Sequence, residues 1–300
     1  MHPDDQRLRP LLLLFPARSG STLLMQLLGT SPKVVFDRVA PFEHRYLAFL
    51  VRWSWQLADG GLRRSDWTVE QLMNEPATAG NFIEPPPFAV PAGFGTARPD
   101  PMWHDTFRCA WREFCARARR AEISSPALDP APIWYAEKSR AMFRYALQDV
   151  GIEPHVVYLL RDPRDILMSI WSFNRKRGTS FFSVVEGESD EAFARRFIEE
   201  RKLRLRMILE MAPDDPHATV VRYEDMATDL PGVAARLSDR LGVQLDAQQV
   251  LTNQKEFSHH MSSAGPEASI QRWRREMSPE IQQLFADIIG TEMQALGYAV

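Results

Sequence analysis

Ten residues near the start of the chain gather an arginine, a glycine and three hydroxyls: Phe15-Pro16-Ala17-Arg18-Ser19-Gly20-Ser21-Thr22-Leu23-Leu24. The apolar run over 11–15, closed by Pro16, has the pattern of a buried parallel strand. Leu23, Leu24, Leu27 and Leu28 beyond it share one helical stripe. A strand that passes through a tight glycine turn into a helix leaves N–H donors free, and the helix dipole favours an anion there. Arg18 adds a fixed charge with a planar donor fork, and Ser19, Ser21 and Thr22 add hydroxyl donors. The triphosphate loop G-x-x-x-x-G-K-[ST] is not met, because Phe15 stands at its first glycine and Ser21 at its lysine. The plainer alternative is a strand-to-helix turn in which Ser and Thr act only as caps.

Val156-Val157-Tyr158-Leu159-Leu160-Arg161-Asp162-Pro163-Arg164-Asp165 repeats this logic. Asp162 reads as the N-cap, Pro163 as the first helical residue and Asp165 as the third. Capping does not account for Arg161, whose charge emerges where an apolar strand ends. Ser169 lies eight residues on, about 12 Å further along a helix axis. Only a long side chain brings Arg161 and Ser169 to one anion. Two anion sites on one sheet edge point to a ligand with two phosphate-type groups.

The elements that must position these groups follow from the hydrophobic pattern. Strands are expected at 8–15, 34–36, 133–137, 155–160 and 218–223. Helices are expected at 21–29, 41–58, 103–121, 140–150, 163–174, 189–211, 231–241 and 278–296. This alternation predicts an α/β architecture with a largely parallel sheet, whose strand-end loops meet on one edge. Residues 76–101 hold seven prolines and three glycines. They read as part of a covering insertion over 60–130, within a single domain spanning 1–300.

Composition narrows the function classes. Lys and Arg number 36 against 39 Asp and Glu, a net charge of −3. No global basic field exists to hold nucleic acid, so an anion site must be local. Two cysteines, Cys109 and Cys115, exclude a disulfide scaffold and a cysteine-ligated metal. His259 and His260 are adjacent and diverge, so no metal centre is expected. The early apolar run is too short for a transmembrane segment or a signal core, and a cytoplasmic protein is expected.

The motifs together resemble one family. PARSGSTLL at 16–24 resembles the 5′-phosphosulfate loop of sulfotransferases that use 3′-phosphoadenosine 5′-phosphosulfate (PAPS), in the bacterial Arg-Ser-Gly-Ser-Thr form. LLRDPRDILMSIWSFN at 159–174 resembles their 3′-phosphate motif. The resemblance implies a P-loop-like three-layer α/β/α fold. It also implies that Arg18, Ser19, Gly20, Ser21 and Thr22 hold the 5′ group, and Arg161 and Ser169 the 3′-phosphate. Three further segments are similar to family motifs: Val220 to Asp225, Glu137-Lys138-Ser139, and Ser269-Ile270-Gln271-Arg272-Trp273. The last resembles the loop that closes over the cofactor and brings in Arg272, with Gln271 where the family has glycine.

The implied reaction moves a sulfuryl group from PAPS to a hydroxyl or amine of a small-molecule, lipid or carbohydrate acceptor, without a metal. Arg18 suits stabilisation of charge on the leaving oxygen. Pro41-Phe42-Glu43-His44 resembles the family context of a carboxylate base, which makes Glu43 the first candidate. His44 is the rival, since an imidazole titrates near neutral pH. The plainer reading has both residues starting the 41–58 helix. Lys138 is read either as a contact to the sulfuryl oxygens or as a surface ion pair. The basic run from Arg195 to Arg206 reads as a solvated helix face. Two other functions fit the first loop: a kinase or other nucleotide-binding protein with a degenerate Walker loop, and a non-catalytic nucleotide-binding member.

Overall fold

The computed structural model describes residues 8–14, 16–59, 100–122, 133–252 and 265–300. Five strands form one sheet: β1 (Leu8–Leu14), β2 (Val34–Val35), β3 (Ile133–Ser139), β4 (His155–Leu160) and β5 (Ala218–Arg222). Their order is β2-β3-β1-β4-β5. The sheet is parallel with flanking helices, and β4 runs beside β5 from Val156 opposite Ala218 to Leu160 opposite Arg222. Consecutive residues of β1 and β4 are buried, as expected of strands covered on both faces. The chain moves to one side of β1 through β2 and β3, then to the other through β4 and β5. That places a topological switch point at the ends of β1 and β4, where ligands of open α/β sheets bind.

The chain divides into two compact units, one of Met1–Leu12 and Val35–Pro154, the other of Leu13–Val34 and His155–Val300. In the first, α2 (Tyr46–Asp59), α3 (Asp100–Glu122) and α4 (Ala141–Asp149) accompany β3. Phe107, Trp111 and Phe114 stack in sequence along α3, with Tyr135 of β3 edge-on to Trp111. The start of α2 is later than the pattern at 41 predicted. Phe42 takes a left-handed conformation, φ 64°, which ends any helix there. The Glu137 carboxylate instead caps α2, accepting the N–H groups of Leu47 at 2.7 Å and Ala48 at 3.0 Å.

The second unit holds α1 (Ser21–Leu28), α5 (Pro163–Arg177), α6 (Asp190–Met211), α7 (Tyr223–Thr228), α8 (Leu230–Leu241), α9 (Ala247–Thr252), α10 (Trp273–Glu276) and α11 (Pro279–Ala295). Asp162 caps α5 by accepting the Arg164 N–H at 2.9 Å, and Pro163 opens the helix as expected. The basic face of α6 is laced by ion pairs, Arg196 to Glu188 at 2.7 Å and Arg206 to Glu292 of α11 at 2.7 Å. Phe197 and Phe285 meet edge-on between these two helices.

Most of the expected insertion, the turn at 124–132 and the adjacent histidines 259 and 260 lie outside the described residues. Among the described residues, no helix is long and apolar enough to cross a membrane, and no cluster of His, Cys, Asp and Glu has the make-up of a metal site.

Candidate functional site

In the second unit the turn after β1 is tightly specified. Arg18 sits at φ 64° and Gly20 at φ 91°. A Cβ at Gly20 would fall 2.3 Å from Cδ2 of Tyr223, so only glycine fits between that ring and the loop. Gly20 is the N-cap of α1 and gives no side-chain cap, and the first turn carries no acid. The helix start therefore keeps the electrostatics of an anion site, and Ser and Thr are not its caps. The Ser19 hydroxyl is fully buried and has no hydrogen-bond partner.

The two arginines predicted to hold the ends of one ligand interlock. Arg161 donates from Nη1 to the Arg18 carbonyl at 2.7 Å and from Nη2 to the Ser269 carbonyl at 3.0 Å. Its guanidinium lies 4.1 Å from the Tyr223 ring centroid, and its Nε is buried without a partner. Arg18 donates from Nε to Ser169 Oγ at 3.1 Å and stacks over Phe173 at 4.8 Å. Burial, and then the neighbouring Arg161 charge, lower the Arg18 pKa to about 10, so it stays cationic at neutral pH. Ser169, expected to share an anion with Arg161, is thus tied to Arg18 across the loops.

The late segment closes onto the same groups. The Tyr223 hydroxyl and Ser269 Oγ lie 2.8 Å apart. Asp165 accepts the N–H of Gln271 at 2.6 Å and of Trp273 at 3.2 Å. Gln271 adopts φ 55°, a left-handed conformation that favours glycine. Arg272 is turned to Glu276, donating from Nε at 2.9 Å and from Nη2 at 2.6 Å. Glu224 accepts the Asp162 N–H at 2.8 Å, which holds the second loop, and burial raises its pKa.

The first unit carries the candidate bases. Lys138 is buried, not a surface residue, and donates to the Pro41 carbonyl at 2.6 Å. Its Nζ lies 3.5 Å from Oε1 of Glu43, whose side chain is 53% exposed. Burial lowers the Lys138 pKa to about 8, against the pull of Glu43. His44 is exposed, with Nδ1 2.7 Å from Asp37 Oδ2. Tyr46 donates to the same oxygen at 2.9 Å, and the His44 hydrogen bond leads the causes that hold Asp37 below its usual range. Neither Glu43 nor His44 lies in α2.

The contacts of three further groups escape a reading of the sequence. Glu137 is buried, and burial pushes its pKa up to about 7. It caps a helix ninety residues away, for which no local pattern exists. Asp165 looks like an ordinary first-turn acid, yet reaches the late segment. Asp37 offers one cue, an acid seven residues before His44.

No curated protein matches the chain in sequence. Among solved structures it is similar to the sulfotransferase domain from the curacin biosynthetic pathway, at 16% identity over 97% of this chain and 98% of that one, with TM-score 0.48. It is similar to the sulfotransferase domain of the Synechococcus PCC 7002 olefin synthase at 19% identity, covering 100% and 98% of the two chains, TM-score 0.47. A mouse sulfotransferase complexed with PAP shares 11% identity over 95% of this chain and 84% of its own, TM-score 0.48. The sequence profile of the Sulfotransferase family matches residues 10–247, most of the chain. On that match the chain belongs to the Sulfotransferase family.

Proposed function

We propose that the protein transfers a sulfuryl group from PAPS to a hydroxyl or amine of a small-molecule, lipid or carbohydrate acceptor, with Glu43 as general base. The observation that carries the donor assignment is the interlock of the two anion motifs through Arg161, which ties the first loop to the late segment. PAPS supplies the sulfuryl group when bound. Arg18, Ser19, Gly20, Ser21 and Thr22 would hold its 5′ group, Arg161 and Ser169 its 3′-phosphate, with Arg272 from the late segment.

The residues suit such a group. Ser19 Oγ and Arg161 Nε are buried donors that an anion's oxygens would satisfy. The glycine at position 20 keeps the turn in close contact with Tyr223. Arg18 and Arg161 supply the cationic charge, so the proposal includes no metal. In the first unit Glu43 would take the acceptor's proton, and the buried Lys138 ammonium fixes its carboxylate. His44, oriented by Asp37, is the second reading for the base. The two free cysteines fit the reducing cytoplasm in which we place the protein.

Calorimetric titration with adenosine 3′,5′-bisphosphate tests the donor assignment. Binding is expected without magnesium, and more weakly for ATP, since Ser21 replaces the lysine of a triphosphate loop. Arg161→Ala is expected to lower affinity by about 10- to 100-fold, the loss of a charge-assisted pair. Undetectable binding to the wild type would falsify the assignment.

A further inference from the structure

We infer that Asp165 is the positioning residue of the nucleotide site: it clasps the 269–273 segment so that Arg161 is held in place. This rests on the reading of the two loops as a bisphosphate site. The helix that Asp165 belongs to does not need it as a cap, because Asp162 already caps α5. Its two carboxylate oxygens each take a different N–H of the late segment, Oδ2 from Gln271 and Oδ1 from Trp273. Between those two anchors Gln271 adopts a backbone conformation that a side chain disfavours, and such a conformation persists only where its surroundings over-determine it. Just before them, the Ser269 carbonyl accepts from Arg161, and its hydroxyl donates to the Pro266 carbonyl while lying 2.8 Å from the Tyr223 hydroxyl. Loosening the clasp therefore frees one of the two carbonyls that brace Arg161.

The clasp is also sensitive to acid. Asp165 is almost fully buried, and burial, then the charge of Asp162, push its pKa up to about 6. The two loop N–H groups and Arg161 oppose that rise. Arg272 on the clasped segment also feels the Asp165 charge, and Asp162 is itself paired with Arg164. As pH falls through about 6 the carboxylate gains a proton, and an oxygen bearing that proton is a poorer acceptor for the facing N–H. Asn at this position mimics that state at every pH.

The test compares wild type with Asp165→Asn by calorimetry against adenosine 3′,5′-bisphosphate, from pH 7.5 to 5. Unchanged far-UV dichroism and melting temperature would certify the fold. At pH 7.5 the variant is expected to bind about 10-fold more weakly, the scale of one charge-assisted hydrogen bond. The ratio of the two affinities is expected to shrink toward unity by pH 5, and the ligand's own titration cancels in that ratio. Amide exchange at Gln271 and Trp273 is expected to rise in the ligand-free variant. A purely structural role would leave the ratio constant with pH. Equal affinities at pH 7.5, a pH-independent ratio or unchanged exchange would each overturn the inference while the nucleotide site stands. Absence of binding by the wild type itself would instead remove the site, and this inference with it.

Discussion

Gly20 shows how a single position can couple a turn to the strand-end motif behind it. Its φ of 91° and the Tyr223 ring 2.3 Å from a would-be Cβ are separate objections to any side chain. Gly20→Ala is therefore expected to destabilise the protein by about 2–4 kcal/mol in urea unfolding, because neither strain nor overlap can relax without moving the loop. Nucleotide affinity is expected to fall with it. A variant as stable as wild type would mean that the loop does not rest on Tyr223. At this scale the sequence was informative where a backbone turn and its local pattern coincide. The placement of Arg18, Gly20 and Arg161 was legible because each stands at a strand-to-helix turn marked by its adjacent residues. Their mutual contact was not: neither the Arg161 bond to the Arg18 carbonyl nor the Arg18 bond to Ser169 leaves a trace in spacing.

Among the elements, helix ends separate the local from the long-range. The start of α5 was fully legible, since its cap, proline and acid are consecutive. The start of α2 was not, because its cap comes from β3. Glu137 ties the two elements, with Tyr135 donating to the same carboxylate at 2.9 Å. Its folded-state pKa of about 7 lies above the ordinary 4.5. The folded protein then holds a proton between pH 4.5 and 7 that the unfolded chain releases. Stability from this group is fully present below pH 4.5 and is lost as pH rises to about 7. In Glu137→Gln this dependence should vanish. Wild-type stability relative to the variant should fall by on the order of 2–3 kcal/mol across that window, read from urea midpoints at each pH. Parallel slopes for the two proteins would show that the buried carboxylate is not the source.

The residues proposed to hold the nucleotide and those proposed to take the proton fall in different compact units, the two loops in one and Glu43, His44 and Lys138 in the other. Binding and proton transfer should then be separable by mutation. Glu43→Gln is expected to lower turnover about 10²- to 10⁴-fold while the bisphosphate still raises the melting temperature as in wild type. Retained turnover would pass the role of base to His44, and His44→Ala would be the variant to assay next. The α/β class and the strand ends that bear the loops were readable from alternating apolar runs. The division into units was not, because β1 contributes to both and a strand's partners are set by pairing across the sheet, which hydropathy along one strand does not encode.

The bracing of Arg161 between two backbone carbonyls has a consequence for the proposed encounter with a dianion. The guanidinium plane is settled before any partner arrives, so capture freezes no arginine rotamers and the entropy of association is spared. Lysine at 161 would keep the charge yet lack the two-pronged span, and the backbones on either side would drift apart together.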